Sequence, residues 1–202
     1  MPITTLLLDV GGVLLTNGWD RHSRELAAKT FHLDPQEIER RHNLNFDILE
    51  TGKLSLDEYL HRVIFYEKRG FSRSQFLKFM HDQSKPFPQM IDLFSRLKEQ
   101  YGLKIGVISN ETREINAFRV KKFKLGRFVD FFVVSCFVHM RKPDEDLYRL
   151  ALDIAQVPAK QALYIDDRLM YIEVAEGLGI PSLHHVDYQS TSDKLSAGTF
   201  WK

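Results

Sequence analysis

Short apolar runs punctuate this chain, and several of them end on residues able to do chemistry. Leu6-Leu7-Leu8 stops at Asp9, Leu103 to Ile108 stops at Ser109-Asn110, and Ala162 to Ile165 stops at Asp166-Asp167. Phe131 to Val134 is a fourth run, with Arg141-Lys142-Pro143 in the loop beyond it, and Pro181 to Val186 is a candidate fifth. Unbroken apolar runs of this length read as parallel strands covered on both faces. Between them the spacing changes to the 3.6-residue period of amphipathic helices. Met90, Leu93, Phe94 and Leu97 stripe a helix from Gln89 to Tyr101, closed by Gly102. Further helices are predicted over Arg113–Phe123, Asp146–Ile154 and Ile172–Leu178. Strands alternating with helices predict an α/β fold, a Rossmann-like parallel sheet with helices on both faces.

From Asn17 to Lys85 the strand pattern disappears. Trp19, Leu26, Ala27 and Phe31 recur near helical spacing, and three start signals follow: Asp34-Pro35-Gln36-Glu37, Ser55 with Glu58, and Ser72 with Gln75. Residues 17–85 are therefore expected to form a small helical insertion in a core built from 1–16 and 86–202. The tail from Gln189 onward is polar, and weak packing is expected there.

Bulk properties narrow the function. A chain of 202 residues suits one domain with an insertion. Its 28 basic and 27 acidic residues nearly cancel without a basic block, which gives a nucleic-acid partner no support. The single cysteine, Cys136, sits in an apolar run and reads as a buried thiol. A lone cysteine cannot form an internal disulfide, so a reducing, cytoplasmic setting is expected, and with no apolar stretch approaching the roughly 20 residues that cross a bilayer no membrane role is expected.

A parallel sheet would bring Asp9, Ser109, Lys142 and the Asp166-Asp167 pair to one rim. Gly11 and Gly12, directly after Asp9, allow a sharp turn there. Carboxylates from two loops make a hard oxygen site suited to Mg²⁺, an ion that shares its ligands readily with phosphate. A lysine and a hydroxyl suit phosphoryl oxygens. Asp9 could then attack phosphorus to give an aspartyl phosphate that water hydrolyses.

In this order the four motifs resemble those of the haloacid dehalogenase-like (HAD) superfamily: Asp9 opens the first, Ser109 the second, Lys142-Pro143 the third and Asp166-Asp167 the fourth. The resemblance spans almost the whole chain and is nearest to the phosphatase branch that includes glucose-1-phosphate phosphatases and the amino-terminal domain of soluble epoxide hydrolases. It implies that residues 17–85 are the small helical cap and that Asp9 is the nucleophile. It makes the Gly11 carbonyl and Asp167 metal ligands, with Asp9 and with Asp166 assisting through water or hydrogen bonds. Ser109 and Lys142 would hold the phosphoryl oxygens and Asp9, and Asn110 would reach the substrate, a small phosphate ester such as a sugar phosphate. A monomer or a homodimer is compatible with it.

Two positions depart from that pattern. The branch usually has a second aspartate two residues after the nucleophile, where this chain has Gly11, and an asparagine where it has Tyr171. Asp20 and His22 are the candidates for the missing acid and base, against the plainer reading of a helix cap and a solvated residue. Gly11 also leaves open a dehalogenase-type hydrolase or a non-catalytic phospho-ligand-binding protein. Two adjacent acids at Asp166-Asp167 weigh against the first, and the full motif set against the second. His184-His185 on a strand would face opposite ways, which argues against a shared metal ion.

Overall fold

All five apolar runs are strands in the computed structural model, which describes residues 2–198 together with 200 and 201. They are β1 (Thr5–Leu8), β2 (Lys104–Ser109), β3 (Phe131–Val134), β4 (Ala162–Asp166) and β5 (Ser182–His184). One parallel sheet holds them in the order β3-β2-β1-β4-β5. The central strand β1 is buried along its whole length. Leu8 lies opposite Val107 of β2 on one side and Ile165 of β4 on the other. That register brings Asp9, Ser109 and Asp166 to the same carboxyl rim, where open α/β sheets bind ligands.

The insertion begins and ends at one point. Thr16 donates its backbone N–H to Lys85 O at 2.9 Å and accepts the Lys85 N–H on Oγ1 at 2.9 Å. Beyond it lie α1 (Arg21–Phe31), α2 (Pro35–Asn43), α3 (Phe46–Glu50), α4 (Leu56–Val63) and α5 (Arg73–Asp82). Capping boxes close at Ser55/Glu58 and Ser72/Gln75. At α2, Asp34 caps alone, and Glu37 turns to Arg40 and Arg41 instead of completing a box. Tyr59, Leu60, Val63 and Phe76 are fully buried in an apolar cluster that the five helices share, joined by Ile115.

Six helices complete the core: α6 (Pro88–Tyr101), α7 (Arg113–Lys122), α8 (Ser135–Val138), α9 (Glu145–Ala155), α10 (Leu169–Gly177) and α11 (Tyr188–Ser196). Period-two alternation divides them between the faces. Leu6, Leu8, Ile105, Val107 and Ile165 meet α6 and Leu195 of α11, while Leu7, Ile108 and Tyr164 meet α9 and α10. The tail corrects the expectation of weak packing. Asp187 caps α11 by accepting from Ser190 N, Leu195 is buried, and the Trp201 indole donates to Leu195 O and stacks on Tyr101. Its apolar residues are few, but Leu195, Phe200 and Trp201 pack against the core. Among the described residues no helix is long and apolar enough to cross a membrane.

Candidate active site

Asp9 leaves the end of β1 with its carboxylate turned into the rim. Oδ1 accepts the Val10 N–H at 2.7 Å, and Oδ2 lies 3.1 Å from Lys142 Nζ. Lys142 itself is 1% exposed and also reaches Asp166 Oδ2 at 2.6 Å. Burying an unpaired ammonium is costly, so the two carboxylates explain why a lysine is stable there. They hold its pKa above the ordinary lysine range even though burial pulls the other way. Asp166 is almost saturated: Oδ2 also accepts the Tyr164 hydroxyl, and Oδ1 accepts the Arg168 N–H at 2.8 Å. Asn110 ties the loops together, since its Nδ2 donates to Lys142 O at 2.9 Å and its Oδ1 accepts the Lys142 N–H at 2.8 Å. Ser109 is buried beside it at the end of β2.

Burial pushes the Asp9 carboxyl up to about 7; Lys142 opposes the shift, and the Asp166 and Asp167 charges add to it. Asp167 is likewise raised, by burial and then by Asp166. Asp9, Asp166 and Asp167 each offer an oxygen within 4.8 Å of the others. Three carboxylates thus face the Lys142 ammonium, with the Arg168 guanidinium as a second positive charge nearby, and among the described residues Asp167 Oδ1 is buried with no hydrogen-bond partner. A buried orphan acceptor is destabilising unless something positive meets it. The residues therefore fit a hard divalent cation. Gly12 makes this crowding possible: at φ +76°, a Cβ there would stand 2.1 Å from Asp167 Oδ2.

A cavity of about 100 Å³ opens above Asp9. Asp9, Gly11, Ser109, Asn110 and Lys142 form its floor, and Trp19, Asp20, His42 and Glu50 reach it from the insertion. Asp20 caps α1, with Oδ1 accepting the Ser23 N–H at 2.8 Å. His22 is exposed one residue into α1 and does not line the cavity. At Gly11 a Cβ would come within 2.6 Å of Asn17 Oδ1, so the Asn17 amide fills the volume of an absent side chain. Its Nδ2 points to Asp167 Oδ2 at 3.4 Å.

Sequence reasoning missed His42, Glu50 and Asn17. Arg141 reaches from the core to α3, with Nε donating to Glu50 Oε2 at 2.9 Å and NH1 to Asp47 Oδ1 at 2.7 Å. Tyr164 and Tyr171 surround the buried lysine, with Nζ 4.9 Å from the Tyr171 ring centroid. Cys136 is buried, and burial pushes its thiol up to about 12, which makes it unreactive.

Residues 3–179 match the model of the haloacid dehalogenase-like hydrolases. A phosphoglycolate phosphatase of Pseudomonas savastanoi pv. phaseolicola is 25% identical over 100 residues, which is 50% of this chain and 36% of that protein. The chain spans about half or less of the phosphoglycolate phosphatases it matches. A sesquiterpene phosphatase of Aspergillus oryzae is 25% identical over 150 residues, 72% of this chain and 74% of the relative. Among solved structures, a HAD family enzyme of Bacteroides thetaiotaomicron in complex with magnesium and inorganic phosphate superposes with a TM-score of 0.77. It is 23% identical, over 94% of this chain and 98% of the other.

Proposed function

The chain belongs to the haloacid dehalogenase-like hydrolases, and we propose that within them it is a magnesium-dependent phosphatase of small phosphate monoesters, sugar phosphates among them. The observation carrying this reading is the charge imbalance at the rim: three close carboxylates, one buried lysine and an orphaned Asp167 oxygen. The named activities of the relatives and the magnesium and phosphate held by the structural neighbour point the same way.

In this reading Asp9 is the nucleophile, forming a bond to phosphorus as the alcohol departs, and water then hydrolyses the aspartyl phosphate. Lys142 draws the phosphoryl oxygens in and favours the ionised form of Asp9. Ser109 donates its hydroxyl to a phosphoryl oxygen, and Asn110 fixes the Lys142 loop against it. Asp9, Asp167 and the Gly11 carbonyl would hold the magnesium, with Asp166 as an organiser that orients Lys142. When bound, the ion supplies positive charge that offsets repulsion between carboxylate and phosphate. Residues 17–85 act as the cap over a core of 1–16 and 86–202. They exclude bulk water and choose the leaving group. A cavity of about 100 Å³ with charged walls favours a small polar ester over a terpenoid one.

Phosphate release from a panel of monoesters tests this. Turnover is expected with magnesium, to stop with a chelator, and to fall by at least about 10³-fold in Asp9→Asn, the order expected for a nucleophile. Turnover that survives Asp9→Asn overturns the reading. Absence of turnover on every ester moves the chain to phospho-ligand binding or carbon–halogen hydrolysis.

A further inference from the structure

An attack by Asp9 from the floor of the cavity places the departing oxygen on the far side of phosphorus, against the insertion helices. An alkoxide leaving group needs a proton there, and the following water must lose one. Position 11 cannot serve, because it is glycine and the volume its side chain would occupy is taken by the Asn17 amide. Leaving aside guanidiniums, amides, the indole and the Ser109 and Thr112 hydroxyls, the proton-bearing side chains lining the cavity besides Asp9 are Asp20, His42, Glu50, Glu111, Lys142 and Tyr171. Lys142 and Tyr171 belong to the floor. Glu111 has both oxygens engaged, Oε2 with Arg119 NH1 at 2.6 Å and Oε1 with the Thr112 N–H at 3.1 Å. Asp20 accepts the Ser23 N–H on Oδ1 as the cap of α1, which ties its carboxyl to its own helix, whereas Arg141 ties Glu50 to the core. His42 has Nδ1 taken by the Tyr59 hydroxyl at 2.8 Å, and burial brings its pKa down to about 4, so at neutral pH it lacks the imidazolium proton that a general acid gives. Glu50 remains.

Resting on the phosphatase reading, we propose that Glu50, on the cap helix α3, is the general acid and base of this site, replacing from the cap the carboxylate that position 11 lacks. Arg141 holds only Oε2; among the described residues Oε1 makes no hydrogen bond, and the side chain lines the cavity. The helix is docked on the core through Ser135 Oγ, which donates to Glu50 O at 2.6 Å, so the carboxyl is fixed in place. Burial keeps Glu50 above the ordinary carboxylate range, Glu111 pushes the same way, and Arg141 and Arg168 oppose it. Asp47, on the same helix, shares Arg141. An acid–base group works best with both forms accessible near the working pH.

In the first step the Asp9–phosphorus bond forms and the phosphorus–oxygen bond to the alcohol breaks. The departing oxygen keeps the electron pair and takes the Glu50 proton. In the second, the Glu50 carboxylate takes a proton from water as the water oxygen bonds to phosphorus. The Asp9 oxygen departs with its electron pair, restoring the carboxylate.

Glu50→Gln preserves the shape and the Arg141 contact but cannot transfer a proton. On alkyl phosphates kcat is expected to fall by at least ~10²-fold. With p-nitrophenyl phosphate, whose leaving group needs no proton, a rapid burst of nitrophenol should remain, followed by slow phosphate release. Installing Gly11→Asp with Asn17→Gly in the Glu50→Gln background should restore alkyl turnover. Two outcomes overturn the proposal: alkyl turnover kept within about threefold, too small for lost acid–base help, or alkyl turnover and the aryl burst lost alike without rescue, which would leave Glu50 only a structural contact. Turnover in the unaltered protein that is insensitive to Asp9→Asn would instead fall on the phosphatase reading.

Discussion

Trp19, Tyr59 and His42 form a short relay whose direction follows from donor chemistry. The indole can only donate, and its Nε1 lies 2.9 Å from the Tyr59 hydroxyl, which lies 2.8 Å from His42 Nδ1. With the indole donating to it, the buried tyrosine is free to give its own proton to His42, consistent with a neutral ring. Burial, and secondarily Arg24, depresses the imidazole pKa to about 4 from an ordinary 6.5. A depressed pKa on a base stabilises the fold above 6.5, and that stability is lost as pH falls toward 4. Between pH 7 and pH 5 the loss is expected to be about 2 kcal/mol. The raised Asp9 acts in the opposite direction over the same range, so the comparison must isolate His42. Denaturant titrations of the unaltered protein and His42→Asn at both pH values provide it, and an equal pH dependence in the two would refute the assignment. The sequence hides this residue: His42 follows Glu39-Arg40-Arg41, a run that reads as solvated surface. Asp9, Ser109 and Asp166 were legible for the converse reason, because strand register leaves residues at strand ends little freedom of position.

Whole elements were legible where they are long enough to show a period or carry a cap. The stripe of α6 and the Ser55 and Ser72 boxes are of this kind. With five residues in α3 and four in α8, neither completes two turns, and no periodicity can reveal them. Yet their contact is what sets Glu50 over the cavity. Gly52 lies just beyond α3 at φ +69°, and a Cβ there would sit 2.1 Å from the Cys136 carbonyl oxygen of α8. Both the backbone angle and the clash disfavour any side chain, and the obstacle is main chain. Gly52→Ala is expected to cost roughly 2–4 kcal/mol and to lower turnover by lifting α3. Gly102 supplies the control, since it has φ +63° but nothing within 4 Å. Gly102→Asn should cost about 1 kcal/mol or less, since asparagine tolerates this region. Thermal or chemical denaturation of the two variants decides it; equal penalties would mean that the α3–α8 contact is looser than the close approach implies.

At the scale of the molecule, a chain of net charge +1 concentrates three carboxylates at one rim. Folding without a cation thus gathers charge that repels, and the raised Asp9 and Asp167 record that cost together with burial. A cation that meets these groups only in the folded chain must stabilise the fold by mass action. At about 100 times its dissociation constant, magnesium should add about 2.7 kcal/mol, or roughly 5–10 °C in Tm for a chain of this size. Because Asp9 titrates at about 7 in the cation-free site, magnesium must displace a proton from it below that pH. The Tm rise is therefore expected to be larger at pH 8 than at pH 6, and binding near pH 7 should release protons, measurable by calorimetry in buffers of different ionisation enthalpy. Asp167→Asn removes a charge and leaves no carboxylate at the orphaned position, so it should melt higher than the unaltered protein without magnesium and gain little from its addition. A magnesium shift of the same size in Asp167→Asn, or one independent of pH, would place the ion away from this rim and remove the electrostatic basis for phosphoryl transfer there.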